Sequence, residues 1–319
     1  MSATRSSHRK RILIPIWSQT GQLTRIAQAI AAPLQATCDI VWMPFQCEQE
    51  YPFPWPFFRF FDAFPESALG VAPRLQPLTL AAQADFDLII LPWQVWYLAP
   101  SLPMQGLLAD VRFQALVRGK PVVSVIGCRN MWHMAYERVQ AKLKSMDVRL
   151  LDNVVLTDQG STLATFVTVP RWLLTGRSNA FWGLPAAGVG EQQVAQCARF
   201  GHALSKALEA DQERGVQPLL SGLAAATAEP RLLAGERAAT RSFAVWGRLV
   251  RLAGPPGAKL RIPVLALYAA FLIVAIICVM PLSLLIQALL RPMMTARILR
   301  AKERFEQPSG SSTERLSLY

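Results

Sequence analysis

Residues 11–30, RILIPIWSQTGQLTRIAQAI, contain the first complete unit of secondary structure that the sequence predicts. The apolar run at 11–17 is typical of a buried strand, and the polar loop SQTGQ at 18–22 follows it. The next apolar residues recur at the i, i+3, i+4, i+7 spacing of one helix face: Leu23, Ile26, Ala27 and Ile30. A strand, a turn containing glycine and a helix in this order indicate the start of an α/β sheet.

The same alternation continues over residues 10–212, which we take as one domain. Further strands are predicted at 39–43, 85–93 and 120–127, and residues 149–157 and 162–169 are predicted to supply the remaining strand material. Helices are predicted at 104–117, 134–146 and 191–210. Because strands that alternate with helices form parallel sheets with right-handed crossovers, we predict an α/β fold with a doubly wound, five-stranded parallel sheet. Two aromatic, proline-containing insertions interrupt it, at 44–78 and 170–189.

After this domain the composition changes twice. Residues 213–236 are rich in Ala, Gly and Pro and are predicted to be a linker, and residues 262–290 are predicted to be a hydrophobic membrane anchor. The run 263–290 has no charged side chain and exceeds the roughly 20 residues that a bilayer-spanning helix needs. Basic amphipathic segments at 237–261 and 291–319 flank it.

The chain has a net charge of +12, and most of it lies in these two flanks. We therefore expect anionic lipid, and no nucleic acid, as the partner of this region. The alternative is that the apolar faces of the flanks pack on the preceding domain. Basic residues on both sides of the run, together with Pro281 inside it, favour a re-entrant anchor over a single span.

The N-terminus and the cysteines bear on location. The apolar run after the basic start is too short for a signal-peptide core, so the first domain is predicted to face the cytoplasm at the bacterial inner membrane. The five cysteines and three histidines are scattered through the sequence. We interpret the cysteines as reduced thiols and predict no metal site.

A phosphate-binding turn is predicted between the first strand and the first helix. Its candidate residues are Ser18, Gln19, Thr20, Gly21, Gln22, Leu23 and Thr24. Hydroxyls and backbone N–H groups converge there on the positive end of a helix. The turn has no lysine or arginine, which suits a phosphate monoester such as that of FMN. The alternative is a helix cap rich in Ser and Thr.

Two later loops reach the same edge of the predicted sheet, because the carboxyl ends of parallel strands lie together. After the third strand the candidates are Pro92, Trp93, Gln94, Val95, Trp96 and Tyr97. After the fourth they are Gly127, Cys128, Arg129, Asn130 and Trp132. The aromatic side chains could sandwich a planar ring. Alternatively, they belong to the core and its rim.

Together the three loops resemble the flavodoxin family, whose FMN phosphate loop reads T/S-x-T-G-x-T. Here the loop is SQTGQLT, with one additional residue before Thr24, and the resemblance covers roughly residues 10–210. Several segments, FPWPFFRFFDAFPES (53–67), LPWQVWYLAPSLP (91–103) and DQGSTLATFVTVPRWLLTG (158–176), together with the hydrophobic anchor, are similar to the flavodoxin-like dialkylresorcinol condensing enzymes. That resemblance implies FMN as cofactor, a lipophilic substrate, and a ketosynthase and an acyl carrier protein as partners.

The residues favour redox chemistry over the condensation that this family name implies. Condensation uses a Cys nucleophile with His or Asn partners, and for these the sequence offers Cys128 with His133 as a nearby pair, outside any ketosynthase-like context. A flavin can instead aromatise a dialkyl cyclohexane-1,3-dione to a dialkylresorcinol, with a protein base removing the proton.

Candidates for that base are His133, Tyr136 and Asp158, and Arg129 could steady an enolate; each also has a purely structural interpretation. The predicted function is a membrane-anchored FMN oxidoreductase. The alternatives are a quinone or electron-transfer flavoprotein of the membrane surface, and a flavin-free scaffold for the ketosynthase and carrier protein.

Overall fold

The structure, a computed structural model, describes residues 9–79, 85–279, 296 and 298–319. Its strands are β1 (Lys10–Ile16), β2 (Cys38–Pro44), β3 (Leu88–Trp96), β4 (Ala99–Pro100), β5 (Pro121–Cys128) and β6 (Arg149–Thr157). Five of them form a parallel sheet in the order β2-β1-β3-β5-β6. The predicted α/β parallel sheet is confirmed. The strand number differs by β4, a two-residue strand that pairs antiparallel with the end of β3.

Helices cover both faces of the sheet. They are α1 (Gln22–Ala31), α2 (Phe57–Asp62), α3 (Phe64–Leu69), α4 (Leu102–Ala109), α5 (Val111–Val117), α6 (His133–Ser145), α7 (Thr165–Thr175), α8 (Glu191–Gln196), α9 (Ala198–Glu209), α10 (Pro230–Leu252) and α11 (Arg261–Val274). Successive residues of a strand point to opposite faces, so Ile12 packs with α1 and α9, whereas Leu13 packs with α4 and α6. Helix α9 lies very close to the end of α1, since a Cβ on Gly201 would stand 2.1 Å from the Ile30 carbonyl oxygen.

The predicted strand at 162–169 is wrong, because these residues enter helix α7. The sheet ends at β6, and the Asp158 carboxylate turns the chain there by accepting the backbone N–H groups of Gly160 and Gly188. The chain therefore crosses the carboxyl edge of the sheet instead of adding a strand. Gly176, with φ of 75°, ends the helix in the left-handed conformation that glycine adopts readily.

Residues 213–236 also differ from the predicted linker. Leu219, Leu220 and Leu223 are buried in the core beside β6, and α10 already begins at Pro230. The Asp152 carboxylate accepts the backbone N–H groups of Leu219 and Leu220 at 2.8 and 3.0 Å. A composition rich in small residues here reflects close packing of an irregular segment.

Parts of the apolar faces of the two basic flanks pack against protein. On α10, the ring centroid of Phe243 lies 5.4 Å from that of Phe64, and Val250 is fully buried. Residues 298–306 are helical, and Phe305 is buried with its ring 4.8 Å from that of His133. For these residues the structure agrees with the alternative, packing on the preceding domain, whereas Leu249 of the same face of α10 is 46% exposed.

The hydrophobic run begins as helix α11. The stretch Arg261–Cys278 is long and apolar enough to cross a membrane by length and composition, with a mean hydropathy of 2.4 and 22% of it buried inside the protein. Pro281, on which the bent anchor was predicted, lies outside the described residues, as does most of the second half of the run.

Candidate functional site at the carboxyl edge of the sheet

The carboxyl edge opens between β1 and β3. Their ladder ends at the pair Leu13–Ile89, whereas the ladder between β3 and β5 continues to Gln94–Gly127. The order β2-β1-β3-β5-β6 reverses the direction of winding at this same place. In doubly wound sheets, ligands bind in the crevice outside the carboxyl ends of the strands at such a switch point. The predicted site therefore lies where the sheet topology provides a crevice.

The phosphate-loop candidates form the turn between β1 and α1. Gly21 is the N-cap of α1 with φ of 79°, and it supplies no side-chain cap to the helix. The first N–H groups of a helix have no backbone partner within the helix, so an anion can bind those that no side chain engages. The hydroxyl of Thr20 accepts the Gln22 N–H at 3.4 Å, which holds the turn in shape. The Ser18 hydroxyl oxygen is buried and has no hydrogen-bond partner.

Both insertions contact this loop. The Gln22 side chain exchanges two hydrogen bonds of 3.1 Å with the backbone of Val189, and Gln19 donates to the Pro52 carbonyl oxygen at 3.4 Å. These two amides therefore position the loop and are not free to bind a ligand. Leu23 is buried in the core, so it can offer only its backbone, and Thr24 is half-buried on the first turn.

Aromatic residues form a wall beside the loop. Trp96, at the end of β3, contacts the rings of three neighbours edge to face, with centroid distances of 5.3 to 5.5 Å: Trp17, Tyr51 and Trp55. We call these four residues the aromatic wall. Of the four, only Trp96 was predicted as a site residue. The position of Trp17 directly before Ser18 is the signal that could have identified it.

The other predicted ring-binding aromatics face elsewhere. Pro92 and Trp93 lie within β3, and the Trp93 indole donates to the Ser124 hydroxyl in the core. Trp132 is buried and stacks on His133 at 4.5 Å. Tyr97 turns the chain with φ of 49° and donates its hydroxyl to the Phe60 carbonyl oxygen. These aromatic side chains therefore agree with the alternative interpretation, in which they belong to the core and its rim.

The loop after β5 is tied to the start of α7. Arg129 donates to the Thr165 hydroxyl at 2.7 Å and lies over the Phe166 ring at 3.7 Å from its centroid. Burial lowers the pKa of Arg129 to about 10, so the guanidinium stays charged near neutral pH. Asn130 donates to the Thr162 hydroxyl at 3.1 Å. Arg129 thus holds the loop in place. Its guanidinium offsets the negative charge of Asp158 and does not project into open space.

Three further candidates in these loops act mainly through their backbone. Gly127 lies at the end of β5, where an added Cβ would stand 3.3 Å from a methyl group of Leu23, so glycine lets α1 approach the sheet. Burial raises the pKa of the Cys128 thiol, which disfavours a thiolate nucleophile. Val95 is half-buried and pairs with Pro100 of β4.

Each of the three predicted loops leaves one buried oxygen without a partner. These are the Ser18 hydroxyl, the Gln94 amide oxygen and the Asn130 amide oxygen, and the Thr168 hydroxyl on α7 is a fourth. Buried polar atoms are rarely unpaired in native proteins, so each needs an explanation. Groups on a bound molecule at this edge could supply their partners. Sequence reasoning missed Thr168 because it assigned this segment to a strand.

The three predicted bases are engaged in the structure of the protein itself. His133 is fully buried, and its Nδ1 lies 2.8 Å from an oxygen of Glu236 on α10. Tyr136 donates its hydroxyl to the Gln307 carbonyl oxygen, and burial raises its pKa. Both oxygens of Asp158 accept backbone N–H groups, although burial raises the pKa of this carboxyl group. These contacts give all three residues a structural role.

Within the part of the chain that the structure describes, no three His, Cys, Asp or Glu side chains converge on a common point.

This sheet order, with its switch point between β1 and β3, is the flavodoxin-like arrangement of the doubly wound α/β class. The solved structures that resemble the chain include an archaeal flavodoxin, with 12% identity over 63% of this chain and 99% of that one and a TM-score of 0.34. A Lactobacillus acidophilus flavoprotein in complex with FMN has 18% identity, coverage of 46% and 93%, and a TM-score of 0.36. A flavone reductase has 10% identity, coverage of 66% of each chain, and a TM-score of 0.36. No protein-family model and no curated protein matches the sequence.

Proposed function

We propose that this protein is an FMN-dependent oxidoreductase of the bacterial inner membrane that aromatises a dialkyl cyclohexane-1,3-dione to a dialkylresorcinol. The observation that carries the cofactor assignment is the set of unpaired oxygens on Ser18, Gln94 and Asn130, one from each loop at the switch point. Ser18 follows Trp17 of the aromatic wall and precedes the N-terminus of α1, and Gln94 lies two residues before Trp96 in β3. Phosphate and planar ring are the two chemical parts of FMN that such surroundings recognise.

The residues present fit this group. Ser18, Thr20 and the backbone of residues 21–23 would hold the phosphate through neutral donors and the positive end of α1. Trp96 offers an apolar surface to the ring system. The amide oxygens of Gln94 and Asn130 are acceptors for N–H or O–H groups.

Bound FMN would supply a hydride acceptor, and aromatisation of the dione removes one hydride and one proton. The protein's contribution is to orient the substrate and exclude water. The aromatic wall provides an apolar surface for that purpose, and Gln94 and Asn130 can accept hydrogen bonds from an enol hydroxyl. The general base is left unassigned, because the contacts of His133, Tyr136 and Asp158 are structural.

Membrane attachment through α11 is the second part of the proposal. The segment after the hydrophobic run returns to the α/β domain: the Ser309 hydroxyl donates to Asp152, and Ala224 N donates to the Ser312 carbonyl oxygen at 2.7 Å. Helix α10, before the run, contacts the same domain through Glu236 and His133. Two ends held on one domain support a re-entrant anchor, since a single span would separate them.

The absorption spectrum of the detergent-purified protein tests the cofactor assignment. We expect flavin bands in the blue and one FMN per chain. Ser18→Ala should weaken FMN retention, because it removes an unpaired hydroxyl at the loop. Ser145→Ala removes a hydroxyl that bonds only the Lys142 carbonyl within α6 and serves as the matched control. A colourless protein that also binds no added FMN would favour the flavin-free scaffold for a ketosynthase and carrier protein.

The reaction is tested separately under anaerobic conditions. A dialkyl cyclohexane-1,3-dione should bleach the flavin absorption and yield a resorcinol with no new C–C bond. Rapid turnover of simple quinones with NAD(P)H, without bleaching by the dione, would instead indicate a membrane-surface electron-transfer protein. Joining of two β-ketoacyl thioesters without a ketosynthase would show that the redox proposal is wrong.

The anchor topology is tested with Ser312→Cys, at an exposed position of the tail. An impermeant thiol reagent added to intact cells should leave this position unlabelled until the inner membrane is opened. Labelling from the periplasmic side would show a true span and contradict the re-entrant anchor.

A further inference from the structure

Helix α2 of the first aromatic insertion is bound firmly to the start of the hydrophobic helix α11. Arg261, at the first position of α11, is buried and donates to Asp62 at 2.9 Å and to Glu66 at 2.7 Å. The Gly257 N–H also donates to Asp62 at 2.7 Å. Charged hydrogen bonds of this geometry are strong when desolvated, so they fix the position of α2 relative to α11.

Ring contacts extend this junction along α11. Tyr268 stacks on Phe64 with a centroid distance of 4.1 Å and an interplanar angle of 8°, and its ring lies 6.2 Å from that of Phe61. Tyr268 is seven residues beyond Arg261, which is about 10 Å along a helix at 1.5 Å per residue. The aromatic end of the insertion therefore lies at the level of the second turn of the hydrophobic helix.

The outer face of α2 is apolar and exposed. Phe57 and Phe58 each expose 51% of their surface, although they adjoin the packed ring of Phe61. On α11 itself, large apolar side chains are exposed along the described length: Ile262, Leu267, Phe271, Ile273 and Val274. Exposed apolar surface that continues from one element to the next marks an interaction site, and here it continues onto a helix with membrane-spanning composition.

We propose that α2 is seated in the lipid bilayer beside α11, with Phe57 and Phe58 in the interfacial layer of the cytoplasmic leaflet. The inference rests on the membrane attachment proposed above. If the basic end of α11 near Lys259 and Arg261 marks the headgroups, Tyr268 lies about 10 Å deeper along the helix, and Phe57 reaches towards this level because its ring lies 4.9 Å from that of Phe61, which contacts Tyr268. Charge agrees with this placement, because Arg59 on α2 is exposed beside the two phenylalanines.

This seating would place a cavity of about 190 Å³ next to the bilayer. It lies behind α2, and its lining includes Tyr51, Trp55 and Leu102 together with the charged side chains of Arg59, Asp62 and Glu66. Tyr51 and Trp55 also belong to the aromatic wall.

Three probe positions on the full-length protein in phosphatidylethanolamine/phosphatidylglycerol vesicles test the proposal. An environment-sensitive fluorophore is attached through Phe58→Cys or through Val216→Cys, each in a Cys278→Ser background, or to the native Cys278 of the anchor. Val216 is 81% exposed and lies outside α2 and α11, so it is the matched solvent control. Quenching is measured with spin-labelled lipid and with aqueous iodide.

We expect the probe at position 58 to emit further to the blue and to be quenched by lipid several-fold more than the probe at 216. Iodide quenching at 58 equal to that at 216, with lipid quenching at 278 intact, would overturn the seating of α2 alone. No lipid quenching at 278 would remove the membrane attachment and this inference with it. The FMN content of each labelled protein reports separately on the cofactor site and on correct folding.

Discussion

Replacing Gly21 by valine should separate cofactor binding from folding. Gly21 has φ of 79°, and an added Cβ would meet no atom within 4 Å, so the cost is backbone strain and not a clash. A residue with a Cβ in the left-handed region costs about 1–2 kcal/mol, and a β-branched side chain adds to this. The loop escapes the strain by leaving the conformation that directs Ser18, Thr20 and the first helical N–H groups to one point.

The magnitude follows from that escape. If FMN binding must restore the strained loop, the free energy of binding becomes less favourable by at least the same 1–2 kcal/mol. The dissociation constant then rises about 5- to 30-fold. The unfolding temperature should fall by only about 2–8 °C, at 2–4 °C per kcal/mol for a chain of this size class. Gly21→Asn should retain most of the FMN, because asparagine tolerates this backbone region.

Gly119 provides the matched control. It has φ of 71°, has no atom within 4 Å of an added Cβ, and precedes β5 at the opposite edge of the sheet. Gly119→Val should lower the unfolding temperature by a similar amount while retaining FMN. The assay is a titration of each apoprotein with FMN, followed by the change in flavin fluorescence. An unchanged dissociation constant in Gly21→Val, or an equal rise in both valine variants, would refute the phosphate-loop assignment.

Two further predictions concern the contacts that hold the C-terminal part on the domain. Arg261→Met leaves the carboxylates of Asp62 and Glu66 without their buried partner, so it should lower the free energy of unfolding in urea by about 3–5 kcal/mol. The control is Arg251→Met: the Arg251 side chain is 45% exposed, so this variant should lower it by about 1 kcal/mol or less. Similar losses in both variants would contradict a dominant role for Arg261. Burial raises the pKa of Asp152 from 3.8 to about 6, so the folded state binds the proton more tightly than the unfolded state. The free energy of unfolding should therefore fall as the pH rises from about 4 through 6, by up to about 3 kcal/mol. Asp152→Asn should remove this fall from the urea midpoint measured against pH, and parallel profiles for the two proteins would show that Asp152 is not its source.

The strands were predicted to within a few residues because apolar runs bounded by polar loops constrain where a buried sheet can form. The run at 149–157 matches β6 in both bounds. The strand prediction for residues 162–169 was wrong because the same pattern of apolar residues is compatible with a helix that covers the edge of a sheet. What decided between them was the turn made by Asp158, whose two hydrogen-bond donors come from Gly160 and from the distant Gly188.

The sequence by itself determined the position of the candidate site. In a parallel sheet all carboxyl ends lie at one edge, so three loops that follow strands must meet there, and Gly21 is recognisable between a strand and a helix. Only the tertiary structure decided which side chains face that edge. Trp93 and Trp96 lie three residues apart in β3, so the pleat directs them to opposite faces, and what packs on each face determines that one joins the core and the other the aromatic wall. The sequence likewise does not determine what the apolar faces of the basic flanks contact. An amphipathic pattern predicts that one face of a helix is buried, but not whether lipid or protein covers it.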